Sequence, residues 1–387
     1  MTRISRRSAV EPFHAMDVLG QAIKRKDQGH PVISMAVGQP CHAAPASVIA
    51  AAREALLSEK IGYTDALGLH ALRNRISQHY STRYGVAVDP GRIAVTTGSS
   101  AGFNLAFLSL FDVGDRVAIT RPGYPAYRNI LAALGLQAVE IEVNADTGFT
   151  LGPQALEEAA KTHGNIAGVL LASPANPTGT VTGRTALKAL VDYCDAREIA
   201  FLSDEIYHGL NYTGEDTTAL SLSDNAVIIN SFSKYYCMTG WRIGWMVLPE
   251  IMIRPVERLA QSLYISPPEL SQIAAFAAFS ASTELEAIKQ GYRLNRELLM
   301  QRLPQIGFDI ASPMDGAFYA YVDASRHTND TMQFSKTMLN EINVAATPGR
   351  DFDPVEGHRT MRFSYAGSMD EMVEALDRME KWLVGGN

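Results

Sequence analysis

The sequence has few cysteines and no excess of positive charge. Its three cysteines, Cys41, Cys194 and Cys237, are odd in number and far apart, so they suggest neither a disulfide framework nor a zinc site. This scarcity predicts a reducing, cytoplasmic compartment. The 34 basic and 41 acidic residues give a formal net charge of −7, which argues against a general surface for nucleic acid or anionic membrane.

Long apolar runs, repeats and low-complexity segments are also missing. No uninterrupted apolar run approaches the length that crosses a bilayer. Arg3, Arg6 and Arg7 begin a basic stretch, but no apolar segment of the signal-peptide kind follows them. Residues 1–45 are therefore interpreted as an N-terminal arm with part of a small domain. The histidines are scattered without a metal-ligand spacing, so no metal site is expected.

The sequence does contain enough apolar material for a large core, with short strands alternating with helices. Hydrophobic residues make up 47% of its 387 positions. The β-branched runs cover residues 92–96, 116–120, 138–143, 167–172, 199–203 and 226–230. This alternation predicts βαβ units, and hence an α/β fold with a three-layer, doubly wound, mostly parallel sheet in a large domain over residues 46–285.

The pattern changes after about residue 285. A charged helix is followed by two strand-like segments, GAFYAYVD from residue 316 and TMRFSYA from residue 360. These segments predict a smaller α+β domain over residues 286–387, against which the N-terminal segment packs.

Five of the predicted strands end in polar or Gly/Pro-rich loops. The loops are TTGSS from residue 96, TRPGYP from 120, SPANPTG from 173, SDEIY from 203 and NSFSK from 230. In a doubly wound sheet the carboxyl ends of the strands line the ligand crevice. We therefore expect the five loops to converge on one site.

Lys234 follows the apolar run 226–229 and is the strongest single candidate. A lysine condenses with an aldehyde only as the neutral amine, and apolar neighbours together with the nearby charge of Arg242 lower its pKa. Ser231 and Ser233 add hydroxyl donors that suit a phosphate. The pattern predicts a lysine that forms a Schiff base with a phosphate-bearing cofactor, although a solvated surface lysine is the commoner case.

Other loop residues have two interpretations each. Gly98, Ser99 and Ser100 open an apolar helix, where they form either an anion site or an ordinary helix cap. Asp204 lies just past a buried strand, where it either pairs with a cation such as a pyridinium nitrogen or caps a helix. Tyr207 either donates to an oxygen on the same ring or fills the core.

Two further loop residues also have two interpretations each. Asn176 stands in the NPTG turn, which serves either ligand binding or simple turn formation. Tyr124 in the PGYP loop offers either a face for ring stacking or loop packing.

Together these motifs resemble those of fold type I pyridoxal phosphate enzymes of the aspartate aminotransferase type, class I/II. The resemblance spans nearly the whole chain. It also includes Gly38 in VGQP, YTDALGLHALR from Tyr63, GWRIG after Lys234, GAFY from residue 316 and RFSYA from Arg362. Each motif alone is weak, but their order and spacing are specific.

The resemblance implies roles for these residues. Lys234 resembles the lysine that binds the cofactor covalently and moves a proton, and Asp204 the partner of the pyridine nitrogen. Implied phosphate ligands are Ser99, Ser100, Ser231, Ser233, Arg242 and, from a neighbouring subunit, Tyr63; implied ring contacts are Tyr124, Asn176 and Tyr207. Arg362 resembles the arginine that holds the substrate α-carboxylate, assisted by Gly38 and Asn176. A homodimer with shared active sites follows.

The sequence departs from the family pattern after Pro40. An acidic residue and an aromatic usually follow there, whereas this chain has Cys41 and His42. Since this loop lies near the substrate mouth in the family, the departure bears on the substrate and not on the cofactor. The pocket residues that the resemblance implies are mainly apolar and indicate neutral or aromatic side chains: Phe13, His14, Met16, Tyr264 and Tyr319.

The implied function is a pyridoxal phosphate-dependent aminotransferase that moves an amino group from an L-amino acid to a 2-oxo acid. A carbon–sulfur β-lyase of the same fold is the alternative, because it shares the removal of the substrate Cα proton by Lys234. A non-catalytic regulatory module is disfavoured, since no helix-turn-helix extension is found and Lys234, Asp204 and Arg362 are all present.

Overall fold

A computed structural model describes residues 2–58 and 60–384. Its α-helices are α1 His14–Asp27, α2 Ala46–Ser58, α3 His70–Tyr84, α4 Ser99–Leu110, α5 Pro125–Leu134, α6 Pro153–His163, α7 Arg184–Asp195, α8 Glu250–Tyr264, α9 Glu269–Ala278, α10 Ser282–Gln305, α11 Thr331–Ile342 and α12 Met369–Val384. Its strands are β1 Ile33–Ser34, β2 Ile93–Thr96, β3 Arg116–Arg121, β4 Gln137–Glu142, β5 Gly168–Ala172, β6 Ala200–Asp204, β7 Val227–Ser231, β8 Gly244–Val247, β9 Asp309–Ile310, β10 Tyr319–Asp323, β11 Val344–Ala345, β12 Thr347–Pro348 and β13 Thr360–Ser364.

A seven-stranded sheet with the order β2-β8-β7-β6-β5-β3-β4 forms the centre of the large unit. The pairs within β7-β6-β5-β3-β4 are parallel, whereas β8 runs antiparallel to both β2 and β7. The predicted α/β fold with a mostly parallel sheet is confirmed, and β2 to β7 each begin and end within one residue of the predicted runs. The sequence reading did not include β8.

Helices cover both faces of this sheet because its strands are apolar on both sides. Along β5, Val169 and Leu171 belong to one core cluster while Leu170 between them belongs to another. The first cluster includes residues of α2, α3, α6, α7 and α9, and the second residues of α4, α5 and α8. Alternation along a strand places successive side chains on opposite faces, which gives three layers.

A second unit contains the antiparallel sheet β12-β13-β10-β9 and the helices α10, α11 and α12. Strands β10 and β13 lie in the two strand-like segments predicted after residue 285, and Tyr321 pairs with Arg362 between them. The N-terminal segment joins this unit, since β1 pairs in parallel with β11 through Ile33 and Val344.

The two units meet at the carboxyl ends of the large sheet. Tyr207 and Leu210, in the loop after β6, belong to the core cluster of the second unit. In the part of the chain that the structure describes, no helix is long and apolar enough to cross a membrane. Nor do three or more His, Cys, Asp or Glu side chains in that part come together as metal ligands do.

Candidate active site

A cavity of about 200 Å³ lies between the two units. Fourteen residues that the sequence analysis named line it: Phe13, Met16, Gly38, Ser99, Ser100, Tyr124, Asn176, Asp204, Tyr207, Ser233, Lys234, Arg242, Tyr319 and Arg362. The loops after β2, β3, β5, β6 and β7 all contribute, so the five strand ends converge as expected.

Lys234 enters the cavity from the loop after β7. Its Nζ donates a hydrogen bond of 2.6 Å to the carbonyl oxygen of Gly38. Burial lowers the pKa of Lys234 to about 8, with further lowering by the charges of Arg362 and Arg242 and a smaller opposing effect of Asp204. The neutral amine that attacks an aldehyde is therefore far more abundant at neutral pH than for a surface lysine.

Asp204 ends β6 and is 3% exposed. Its carboxylate accepts hydrogen bonds from the Tyr127 hydroxyl and, at 3.1 Å, from the Ile206 backbone N–H. Both donors are neutral, and burial raises the pKa of Asp204 to about 6 against the lowering effect of these hydrogen bonds. A carboxylate in this position favours a cationic ligand group such as a protonated ring nitrogen.

Tyr207 and Tyr319 form a buried pair of hydroxyl groups, 2.7 Å apart. The backbone of Gly38 passes directly over Tyr319, and a Cβ at Gly38 would lie 1.7 Å from the Tyr319 hydroxyl. Only glycine fits at this position, which keeps the Gly38 carbonyl beside Lys234.

The segment that starts α5 presents two tyrosines to the cavity. Pro125 in the first turn and Gly135 at the C-terminus, with φ of 82°, define the limits of this helix. Tyr124 packs edge-on against Phe13 and Tyr127, with ring centroids 5.7 and 5.2 Å apart. Burial raises the pKa of Tyr124 to about 12, so its hydroxyl remains protonated.

Arg362 projects from β13 and is 3% exposed. Its Nη1 donates to Oδ1 of Asn176 at 2.8 Å, and its Nη2 to the carbonyl of Ala36 at 2.5 Å. The guanidinium carbon lies 4.3 Å from the ring centroid of Tyr319, and Nε is buried without a hydrogen-bond partner. These acceptors are neutral, so the positive charge is available for a ligand carboxylate.

The opposite end of the cavity is formed by the N-terminus of α4 and by Arg242. No side chain caps α4, and its first backbone N–H groups point toward the cavity end that Ser99 and Ser100 line. Gly98 has φ of +79°, and a Cβ there would lie 2.4 Å from Nη2 of Arg242. Glycine thus lets the guanidinium approach the helix N-terminus, an arrangement that suits a phosphate.

The two serines before Lys234 differ in position. Ser233 lines the cavity, whereas the hydroxyl of Ser231 lies behind it, 2.9 Å from Ser233 Oγ and 3.1 Å from the Ile243 carbonyl oxygen. Ser231, which the resemblance implied as a direct ligand, therefore supports Ser233 in this structure.

Several predicted residues lie outside the cavity of their own chain. Tyr63 is 81% exposed. The His14 ring is turned toward Asp17, with 3.8 Å between Nδ1 and Oδ2, and Tyr264 packs against the core of the large unit at the end of α8. Cys41 and His42 are also outside it, with 3.4 Å between Sγ and Nδ1.

The sequence analysis missed Tyr127 and the apolar wall of the cavity. This wall consists of Ala15, Val37, Phe103, Ala126, Ile130 and Ile206. Tyr127 stands three positions after Tyr124 at the start of α5, and residues at that spacing share a helix face. The PGYPAY motif therefore contained a usable signal for Tyr127.

The chemical groups that line the cavity fit pyridoxal phosphate. An uncapped helix N-terminus and Arg242 match the phosphate, Asp204 matches the ring nitrogen, and Lys234 matches the aldehyde. The orphaned Nε of Arg362 leaves a donor for the carboxylate of an amino acid.

Comparison with known proteins gives consistent results. The family model described as aminotransferase class I and II matches residues 30–379. The chain is 46% identical over 385 residues to valine–pyruvate aminotransferase of Mycobacterium tuberculosis, covering 98% of each. It is 32% identical over 381 residues to arginine–pyruvate transaminase of Pseudomonas aeruginosa, covering 97% of this chain and 96% of that one.

Solved structures of similar proteins share the fold. An aminotransferase from Mycobacterium tuberculosis matches with a TM-score of 0.96 and 45% identity, covering 100% of both chains. Aspartate aminotransferase from Thermus thermophilus with maleate matches with a TM-score of 0.92 and 30% identity, covering 98% of this chain and 100% of that one.

Proposed function

The chain belongs to the class I and II aminotransferases, which use pyridoxal phosphate, and from this we propose that it transfers amino groups from neutral, apolar L-amino acids to pyruvate. One observation carries the proposal. Among the described residues that line the cavity, the charged ones are Lys234, Asp204, Arg242 and Arg362, and each has a role toward the cofactor or the substrate α-carboxylate. None is left to pair with a charged substrate side chain.

We propose the following residues as cofactor ligands. The phosphate is held by Ser99, Ser100, Ser233 and Arg242; the ring is contacted by Tyr124, Asn176, Asp204 and Tyr207. When bound, pyridoxal phosphate supplies an aldehyde that forms covalent bonds with amines and a ring that delocalises negative charge from a substrate carbon.

Lys234 has two tasks in this proposal. It binds the cofactor covalently as a neutral amine, which burial and two neighbouring arginines favour. Once an amino acid has displaced it, the free amine takes the proton from the substrate Cα and returns a proton during transfer. Asp204 holds a proton on the ring nitrogen, because a buried carboxylate with only neutral hydrogen-bond donors is stabilised by a cation.

Arg362 orients the substrate. Its guanidinium is already fixed by Asn176 and Ala36 and by stacking on Tyr319, so little side-chain entropy is lost when a carboxylate binds. This orientation turns the substrate side chain toward Phe13 and Met16, two apolar residues that also line the cavity.

The experiment is an amino-donor panel on the enzyme reconstituted with pyridoxal phosphate. Valine and leucine should react well with pyruvate as acceptor, and aspartate and arginine poorly. A clear preference for aspartate or arginine would overturn the substrate proposal. The panel also contains cystathionine, which carries sulfur on Cβ. Release of pyruvate and ammonia from it without an oxo acid would indicate β-elimination instead, the chemistry of the alternative β-lyase.

We also propose that the enzyme is a homodimer with shared active sites. Tyr63 is 81% exposed, and Leu57 and Ile61, which precede it closely in the sequence, are 80% and 39% exposed. Exposed apolar side chains in one segment suit a surface that a partner covers. In the proposed dimer Tyr63 reaches the phosphate of the partner subunit. Tyr63→Phe should then weaken cofactor binding about tenfold while sedimentation still shows a dimer. Unchanged cofactor affinity, or an active monomer, would contradict the shared site.

Two further proposals concern the whole molecule. The large domain is taken as residues 46–285, with residues 1–45 and 286–387 forming the small one. A cytoplasmic location is supported by three free cysteines, of which Cys41 is exposed. Limited proteolysis and cell fractionation test these two points.

A further inference from the structure

The start of α1 forms part of the cavity wall through Phe13, Ala15 and Met16. Its own sequence provides no cap there, since Phe13 at the N-cap position offers no side-chain hydrogen bond. Asp351, which lies near the other end of the chain, caps α1 with its carboxylate instead. Its Oδ1 accepts from the His14 N–H at 2.8 Å, and its Oδ2 accepts from the Ala15 N–H at 2.7 Å.

The surroundings of the Asp351 carboxylate favour strong hydrogen bonds to α1. Asp351 is 1% exposed, and both of its oxygens face backbone N–H groups at a helix N-terminus, where a negative charge is favourable. Asp351 does not line the cavity itself. Any influence of its carboxylate on the reaction must therefore be indirect, and the direct contacts of that carboxylate are with α1.

The turn that carries Asp351 also joins the other parts of the site. Arg128 of α5 donates to the Asp351 carbonyl at 2.7 Å, and the Gly123 N–H donates to the Phe352 carbonyl at 3.0 Å. The Phe352 ring centroid lies 4.6 Å from the guanidinium of Arg362. One short turn thus connects α1, the segment around Tyr124 and the arginine proposed to bind the substrate carboxylate.

We propose that Asp351 is a positioning residue that sets donor selectivity by holding α1 against the cavity. This rests on the proposed function, in which the side chain of a neutral amino acid lies against Phe13 and Met16. A larger side chain such as that of leucine uses the Phe13 and Met16 surface, while the methyl group of alanine is too short to depend on it. Loosening α1 should therefore reduce reaction with leucine more than with alanine.

The first test is Asp351→Asn, which keeps the size of the side chain but replaces one acceptor with a donor facing a backbone N–H. The donor half-reaction is followed by cofactor absorbance without an added oxo acid, and its second-order rate constant is compared between donors. The ratio of this constant for leucine to that for alanine should fall about tenfold, mainly through weaker binding of leucine. The absorbance of the bound cofactor before the donor is added should match that of the wild type. An unchanged ratio would overturn the proposal.

Asp330→Asn is the matched control. Asp330 caps α11 by accepting from the Gln333 N–H at 3.1 Å, so the same chemical change is made at a helix start away from the cavity. The leucine-to-alanine ratio should not move in this variant. If both variants lower it equally, general destabilisation explains the effect and the proposal is wrong.

Hydrogen exchange of the cofactor-free protein provides a measurement that does not depend on activity. Backbone amides in residues 13–27 should exchange faster in Asp351→Asn than in wild type or Asp330→Asn. Unchanged exchange there would contradict the docking of α1 even if the proposed function fails. If the wild type rejects all neutral donors while exchange behaves as expected, the proposed function is wrong and the docking stands.

A second variant keeps the selectivity claim testable if Asp351→Asn does not fold. Met16 is 51% exposed, so Met16→Ala shortens the wall with little effect on the core. It should lower the same leucine-to-alanine ratio. An unchanged ratio would show that the α1 wall does not contact the donor.

Discussion

The two ends of the cavity are built in different ways. One end, proposed to bind the cofactor and called the cofactor end, comes from strand ends of one sheet and the turn before β8; it is defined as Ser99, Ser100, Asp204, Ser233, Lys234 and Arg242. The other end, proposed to bind the substrate and called the substrate end, comes from three separate parts of the chain; it is defined as Phe13, Met16, Gly38, Asn176 and Arg362. The geometry of the sheet fixes the cofactor end, whereas the packing of separate chain segments fixes the substrate end. Substitutions can therefore change the preference for an amino donor without changing the cofactor chemistry.

The largest expected effect is at the cofactor end. Lys234→Ala removes the amine proposed to bind the cofactor and to move the Cα proton, so turnover should fall by about four orders of magnitude for every donor. Borohydride reduction followed by peptide mapping should label Lys234 in the wild type and no lysine in the variant. A reduced adduct on another lysine would contradict the assignment.

Asp204→Asn should slow turnover about 100- to 1,000-fold, again equally for all donors, because one preorganised charge is lost. Single-turnover absorbance measures this step. A rate near wild type would mean that Asp204 serves only to cap the chain after β6.

The same variant should stabilise the cofactor-free protein. Since burial raises the pKa of Asp204 to about 6, the folded state binds more protons than the unfolded state between about pH 4 and pH 6, and stability falls as pH rises through this range. Asn avoids that cost at neutral pH. The contrast is Asp216. Burial raises its pKa, but His208, the Gly209 N–H and Arg83 together lower it further, so the net pKa is lowered. Asp216→Asn should therefore destabilise the protein at neutral pH, as measured by thermal unfolding.

At the substrate end, Arg362→Lys should raise the KM of every amino donor about 30-fold or more, because lysine retains the charge but loses the planar fork. Cofactor affinity should change little. Arg359→Lys is the control, since Arg359 is 39% exposed in side chain and pairs with Glu356. If both substitutions raised the KM of the amino donors equally, Arg362 would have no special role in binding the substrate.

Gly98→Ala tests whether a change at the cofactor end leaves the preference for an amino donor unchanged. The new Cβ would displace Arg242 and strain a backbone with φ of +79°, so cofactor affinity should fall about tenfold while donor preference is retained. Gly214→Ala is the control, because a Cβ there meets nothing within 4 Å. Equilibrium dialysis of the cofactor measures both.

The smallest effect is a pH dependence. In the proposed function, covalent capture of the cofactor requires neutral Lys234. Because its pKa is lowered to about 8, the rate of capture should rise with pH and level off above about pH 8. An ordinary lysine would give a rate that rises further, toward about pH 10. Arg362→Lys keeps a positive charge nearby and should leave the midpoint close to 8, whereas Arg362→Met should move it upward. Stopped-flow absorbance of reconstitution provides the measurement.

Local sequence patterns indicated most of the cofactor end, whereas most of the substrate end was named only from the family resemblance, and the reason is physical. Strand ends such as Asp204 and the loop at Lys234 follow from local apolar runs and turn signals. The cap from Asp351 to α1 has no local pattern, because its donors lie 337 and 336 positions away. Strand β8 was missed because a βαβ pattern does not imply an antiparallel strand. His14 and Tyr264 do not line the cavity of their own chain, since their side chains pack elsewhere in the fold.

The pairing of β1 with β11 has a consequence for how the protein is made. Ile33 leaves the ribosome long before Val344. Strand β1 therefore cannot pair until most of the chain, including β11, has been synthesised. During that time α1 also lacks Asp351. The large unit can form its sheet while later residues are still being synthesised. The small unit can close only near the end of translation, so the wall that α1 adds to the cavity is completed last.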